Sequence, residues 1–302
     1  MKGMDKQQKT INQGMVLGFI AVAIFSLTLP VTRLIIPFFD PLFIGLGRSV
    51  LAALVALPIL LIFKQAFPNR KQVSQLLLTA LGVILGFPVL TAFAMQTVPA
   101  AHGSVVIGLL PLSTAIFAVI ISHERPSIGF WIAALIGALL VIIYSLLQGG
   151  MRLHIGDLYL LAASILGGLG YAMGAKVAKQ LGGWQVICWV NVLGFPFSFL
   201  GMLWVMPESF TSIPISAWVG FVYLALASQL FGFFLWYKAL VMGGTARVSQ
   251  TQLIQAFLSI LASIVLLGEK IDATTYFFAI AVVIAIAVTR KMQIHTIQTK
   301  TG

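Results

Sequence analysis

Charge is what this sequence has least of. Only 8% of its residues are charged, against about 25% in soluble domains. With 60% hydrophobic residues and a mean hydropathy of +1.06, the chain is excluded from the water-soluble folds. Acids are the scarcest class, seven Asp and Glu in 302 residues, and all seven map to loops, tails or the ends of apolar runs. A single cysteine, Cys188, cannot form an intrachain disulfide, and no Cys/His spacing fits a zinc site, so neither a metal nor any other cofactor is expected. Paired intramembrane aspartates, His-Glu-x-x-His, Gly-x-Ser-x-Gly and an aspartate-rich diphosphate motif are all missing. An integral membrane enzyme would need such a reactive constellation.

What remains is apolar runs separated by short polar breaks. Spans are expected near 14–36, 41–63, 75–95, 101–122, 128–147, 156–178, 184–206, 215–236, 247–267 and 274–289. The breaks carry turn chemistry, as at Asp40-Pro41, Pro68-Asn69, Gly149-Gly150, Gly182-Gly183 and Gly243-Gly244. The runs are too long, and lack the alternation, for barrel strands. An all-α integral membrane protein of ten transmembrane helices follows. The net charge of +11 then reads as membrane orientation rather than nucleic-acid binding. With the N-terminus inside, 14 of the 18 Lys and Arg fall on the inner side, among them Lys2, Lys64, Arg70, Lys176, Lys238, Arg247 and the tail cations Lys291 and Lys300. The outer side keeps Arg33, Arg152 and Lys270, and Arg48 falls within the second span. By the positive-inside rule both termini face the cytoplasm of a multi-pass inner (plasma) membrane protein. The partners expected are a small-molecule substrate and membrane lipid.

A shift of 145 residues lays Glu124 on Glu269, Arg125 on Lys270, Ala101 on Ala246 and Ser104 on Ser249. Five spans per copy is an odd number, so two inverted five-helix repeats are expected, at 14–150 and 151–289, between cytoplasmic tails 1–13 and 290–302. Inverted repeats are a transporter architecture. Further marks are Arg48, Leu110-Pro111-Leu112, His123-Glu124-Arg125, Leu235-Trp236-Tyr237-Lys238-Ala239-Leu240 and Leu267-Gly268-Glu269-Lys270. With these the chain resembles the drug/metabolite transporter superfamily, in particular its ten-span EamA-type branch. The resemblance implies export of a small neutral or zwitterionic metabolite, such as an amino acid, by alternating access. A lipid-linked-sugar flippase on the same fold is the alternative. Where the family often has a ninth-span proline matching Pro111, this chain has Gln255-Ala256. The first-span carboxylate used by small multidrug relatives is also missing, since no acid stands between Asp5 and Asp40. A cationic-drug antiporter is thereby disfavoured.

Polar side chains within a bilayer face the bundle interior or a watery cavity. Gln252, Gln255 and Ser259 share one face of the ninth span, and Ser249 extends the stripe. These four, with Arg48, Pro111, Tyr171 and Trp236, are the candidate substrate-binding residues. Each has a structural alternative. Gln and Ser also bond helix to helix, Arg48 can serve backbone carbonyls, and Pro111 and Pro30 can be plain kinks that free carbonyls near Ile107 and Ser26. Gly82/Gly86 and Gly170/Gly174 are expected to permit close packing. His102 reads as a loop histidine at a span end, and Glu124 and Glu269 as structural loop residues.

Overall fold

The computed structural model describes residues 2–122, 124–148, 154–290 and 294–296. His123, the Gly149-Gly150 turn, Arg152, Lys291 and Lys300 lie outside the described residues. The helical rods, in chain order, are α1 (Gln7–Ile35), α2 (Pro41–Ile62), α3 (Arg70–Thr97), α4 (Ala100–Ile121), α5 (Ile128–Gln148), α6 (Ile155–Leu181), α7 (Gly183–Leu203), α8 (Ile215–Gly243), α9 (Thr245–Leu267) and α10 (Ala273–Arg290). Among the described residues, eight of these, all but α5 and α10, are long and apolar enough to cross a membrane. The third rod outruns its apolar run, starting at Arg70 rather than near 75, because a capped polar turn extends the helix. At α3, Asn69 accepts from the Gln72 amide while Gln72 Oε1 accepts from that of Asn69, each at 3.0 Å, a reciprocal capping box. At α2, Asp40 accepts from the Leu42 amide at 2.7 Å.

Four rods carry π or 3₁₀ turns inside, in matching places. The third and eighth each contain a π-helical segment, Leu81–Gly86 and Tyr223–Phe231. The fourth and ninth each contain a 3₁₀ turn, Ile107–Leu109 and Gln250–Gln252. The packing has the same symmetry: α1 lies along α8 as α6 lies along α3, while α2 packs on α7, α4 on α9 and α5 on α10. Exchanging each rod for the one five places on leaves this pattern unchanged. The small-residue pairs make the closest approach. A Cβ on Gly82 would meet the Leu166 carbonyl and stand 2.8 Å from Gly170 Cα, so Gly82, Gly86 and Gly170 press α3 and α6 together, while Gly174 makes room for the Tyr237 ring of α8.

Contacts cluster at two ends. At one, Glu269 accepts from the Ala100 and Ala101 amides, each at 2.9 Å, and Gln148 donates to Asp272 at 2.9 Å. At the other, Gln72 donates to Gln180 at 3.2 Å and Lys176 to the Ile121 carbonyl at 3.2 Å. There too a short pair, β1 (Glu124–Pro126) and β2 (Ile294–Thr296), runs antiparallel.

Candidate functional site

The irregular turns converge on the middle of the bundle and turn polar groups inward. A π segment widens a helix by one residue per turn and leaves carbonyls off the ordinary ladder. Ser49 donates to the Ile84 carbonyl at 3.1 Å, and Gln229 donates to that of Val83 at 3.1 Å. The two π segments are thus bonded to each other across the repeats. Beside them Arg48 Nη2 donates to Ser228 Oγ at 3.0 Å, and Ser228 shares a 2.9 Å bond with Thr28 Oγ1. Arg48 is 3% exposed. It stands two turns into α2, beside the bonded π segments.

These groups line a cavity of about 20 Å³ with Tyr171, Phe25, Phe87, Phe233 and Gln255, room for about one water. A second space of about 10 Å³, lined by Gln252, Gln255, Ser259, Leu110 and Gly108, adjoins it at Gln255, Leu29 and Ile107. An aromatic layer closes the set: Tyr171 lies 5.3 Å from Trp236 and 5.7 Å from Phe233, and Phe25 lies 5.0 Å from Phe233. At the centre, Arg48 Nε and Gln255 Oε1 in the first space and Gln252 Nε2 and Oε1 in the second have no hydrogen-bond partner among the described residues; the same holds for Trp236 Nε1, which lines neither space, and for atoms of Gln75, Gln185, Asn191, Ser198 and Thr245 elsewhere. Tyr171 faces Gln252 without closing a bond of proper geometry. Buried polar groups are ordinarily paired, so unpaired ones on Arg48, Gln255 and Gln252 across two adjoining spaces mark a place for a ligand.

The other sequence candidates are spoken for. Pro30 leaves the Ser26 carbonyl without its helical donor, α1 breaks at Leu27, and Ser259 donates to that carbonyl at 2.6 Å. Ser249 donates to Ala246 within its own helix at 3.0 Å. Pro111 is buried beside the cavity, and the Leu110 amide turns back onto the Ile107 carbonyl in a 3₁₀ bond. Thr28, Ser228 and Gln229 were not singled out from the sequence, although Ser-Gln inside an apolar span carries the same signal as Gln252. In the Trp-Tyr-Lys-Ala-Leu element, Tyr237 donates to the Gly170 carbonyl at 3.2 Å, and Trp236 packs behind Tyr171 without lining either space. His102 departs from its expectation as a loop residue. It is buried in the first turn of α4 and lies 2.6 Å from Asp157 of α6, an ion-pair geometry that a single span-end histidine does not announce. Of the pair, His102 borders a pocket of about 460 Å³ with Tyr144, His154 and Glu269.

Known proteins resemble the chain in sequence and fold. The chain is 44% identical over 283 residues to a Bacillus subtilis (strain 168) protein named "Uncharacterized transporter YdeK", covering 94% of this chain and 98% of that one. It is 28% identical over 247 residues to "Uncharacterized transporter YyaM" of the same organism, covering 78% and 79%. A solved crystal structure, 17% identical, superposes with a TM-score of 0.71 over 92% of this chain and 98% of its own, which speaks to the fold alone. The model of the EamA-like transporter family matches twice, at residues 12–146 and 154–290, one match to each half of the symmetry seen in the packing. The chain belongs to the EamA-like transporter family.

Proposed function

We propose that this membrane transporter exports a small neutral or zwitterionic metabolite, an amino acid or a related compound, by alternating access, and that it is not an enzyme. The observation that carries the proposal is the pair of adjoining central spaces, where Arg48 and Gln255 in one and Gln252 in the other keep unpaired polar atoms between the two repeats. The cavity is closed around about 20 Å³, so a solute of several heavy atoms needs the bundle to open. Two similar halves rocking about one central site supply that movement. An enclosed polar centre favours a solute carrier over a flippase, which needs a groove open to lipid. The outward direction follows the resemblance to exporters. The test is untargeted metabolomics of medium from cells overproducing the protein or its Gln255→Leu variant. Accumulation of one compound class with the parent only is expected, and identical media would overturn the proposal.

The topology proposed is ten crossings in two inverted five-helix repeats, in the inner (plasma) membrane, with both termini cytoplasmic. It is supported by the joined ends of the bundle. Glu269 with Ala100, and Gln148 with Asp272, come from segments assigned outside by the charge bias, whereas Gln72 with Gln180, and Lys176 with Ile121, come from segments assigned inside. Reporter fusions at residue 302 and near Arg152 should report opposite sides.

A further inference from the structure

The central cavity holds a cation with no anion to answer it. Arg48 is 3% exposed, and one nitrogen of its guanidinium is spent on Ser228 while Nε has no partner. The ionisable side chains that bear on it are two phenols, Tyr171 and Tyr223. Among the described residues the carboxylates lie elsewhere, and none lines either central space. A buried charge is ordinarily paired, and a guanidinium fork matches a carboxylate better than it matches a hydroxyl. Beyond Arg48 stand acceptors without donors, Gln255 Oε1 in the same cavity and Gln252 Oε1 in the adjoining one. The walls between are the rings of Phe25, Phe87 and Phe233.

We infer that the substrate is a monocarboxylate whose carboxylate supplies the missing counter-ion of Arg48. The carboxylate accepts from Arg48 Nε and lies against Ser228. A donor group on the same molecule, an ammonium or an amide N–H, reaches the Gln255 and Gln252 carbonyl oxygens, and the apolar body rests on the phenylalanine rings. The inference rests on the reading of this cavity as the transport site. It also sets what the cavity rejects. An amine without a carboxylate meets the Arg48 charge with nothing to offset it, and a second carboxylate finds no second cation. If Arg48 served only to hold Ser228 and the π segment of α8 in place, the charge of a ligand would not matter.

The experiment is binding to the purified full chain, by calorimetry and thermal shift, of L-leucine, L-methionine and L-phenylalanine. Each is compared with its amide, its decarboxylated amine and its deaminated acid. At least one carboxylate is expected to bind, with its amide and amine weaker by about tenfold to a hundredfold. Arg48→Gln should weaken the acid by a similar factor, and Arg48→Lys should restore part of it. The acid-against-amide comparison on the parent protein decides the matter even if Arg48→Gln does not fold. Equal binding of acid and amide, binding by none of the carboxylates, or an acid that binds Arg48→Gln as tightly as the parent would each overturn the inference. Counterflow in proteoliposomes is the separate arm. Exchange of an uncharged solute that Gln255→Leu abolishes keeps the transport site and removes only the carboxylate, whereas no exchange of any solute, despite Arg48-dependent binding, removes the transport reading instead.

Discussion

Replacing Gln255 by leucine separates a binding group from a structural one. Gln255 is 8% exposed and its Oε1 has no partner, so the folded protein already bears the desolvation of that carbonyl, about 1–3 kcal/mol. Leucine keeps nearly the same volume and deletes the group. The variant should therefore be as stable as the parent or more stable by up to about 2 kcal/mol, a rise in Tm of roughly 0–5 °C for a chain of this size. Function should move the opposite way. A substrate donor that paired with the carbonyl is left unpaired, weakening binding about five- to hundredfold. The assay is Tm of the purified protein in detergent together with transport KM in proteoliposomes. A lowered Tm with an unchanged KM would refute the reasoning, because it would mean that the amide joins helices and never meets the solute.

Gly82→Ala places a Cβ against the Leu166 carbonyl, so α3 and α6 must part at a cost of about 1–3 kcal/mol; a melting curve that does not move would contradict the close approach. Glu269→Gln removes the charge that two amides of α4 share. It should lower stability by about 1–3 kcal/mol and leave the pH profile of transport unchanged, which a proteoliposome pH series checks. For Asp272 partial burial pushes the carboxyl up, but hydrogen bonds from Thr275 and Gln148 outweigh it and hold it below the ordinary value of 3.8. A depressed folded value means stabilisation that is present above about pH 4 and lost as pH falls through the lower folded value. Asp272→Asn should accordingly lower Tm at neutral pH, and the difference should shrink as pH falls through the lowered folded value; a difference that persists undiminished in acid would contradict this.

Much of the bundle was legible because lipid imposes a simple demand. Apolar runs of span length, separated by Gly, Pro and Asn turns, can satisfy their backbone only as helices, and the 145-residue shift placed the repeat where the paired π and 3₁₀ turns are found. Gln252, Gln255 and Arg48 stood out because polar groups in apolar spans are costly, and all three reach the centre. What the residue pattern does not hold is pairing. That Ser259 answers the carbonyl freed by Pro30 depends on two helices more than 200 positions apart meeting at one level. Nor does composition encode a π segment, since it shifts the register of a helix without requiring any particular residue. The facing of Gln229 onto Val83 therefore emerges only from three-dimensional packing.

The bond between Glu269 and α4 also orders events in time. The two amides at the start of α4 wait for a carboxylate 169 and 168 residues further along the chain. At roughly 5–20 residues per second of synthesis, that interval is on the order of 10–30 s. Throughout it the first repeat sits in the bilayer with the mouth of α4 served by interfacial water alone. The first half therefore does not reach its final form before the ninth span has been inserted, and a chain truncated ahead of Glu269 should present that end of α4 as an unfinished surface to the quality-control proteases of the membrane.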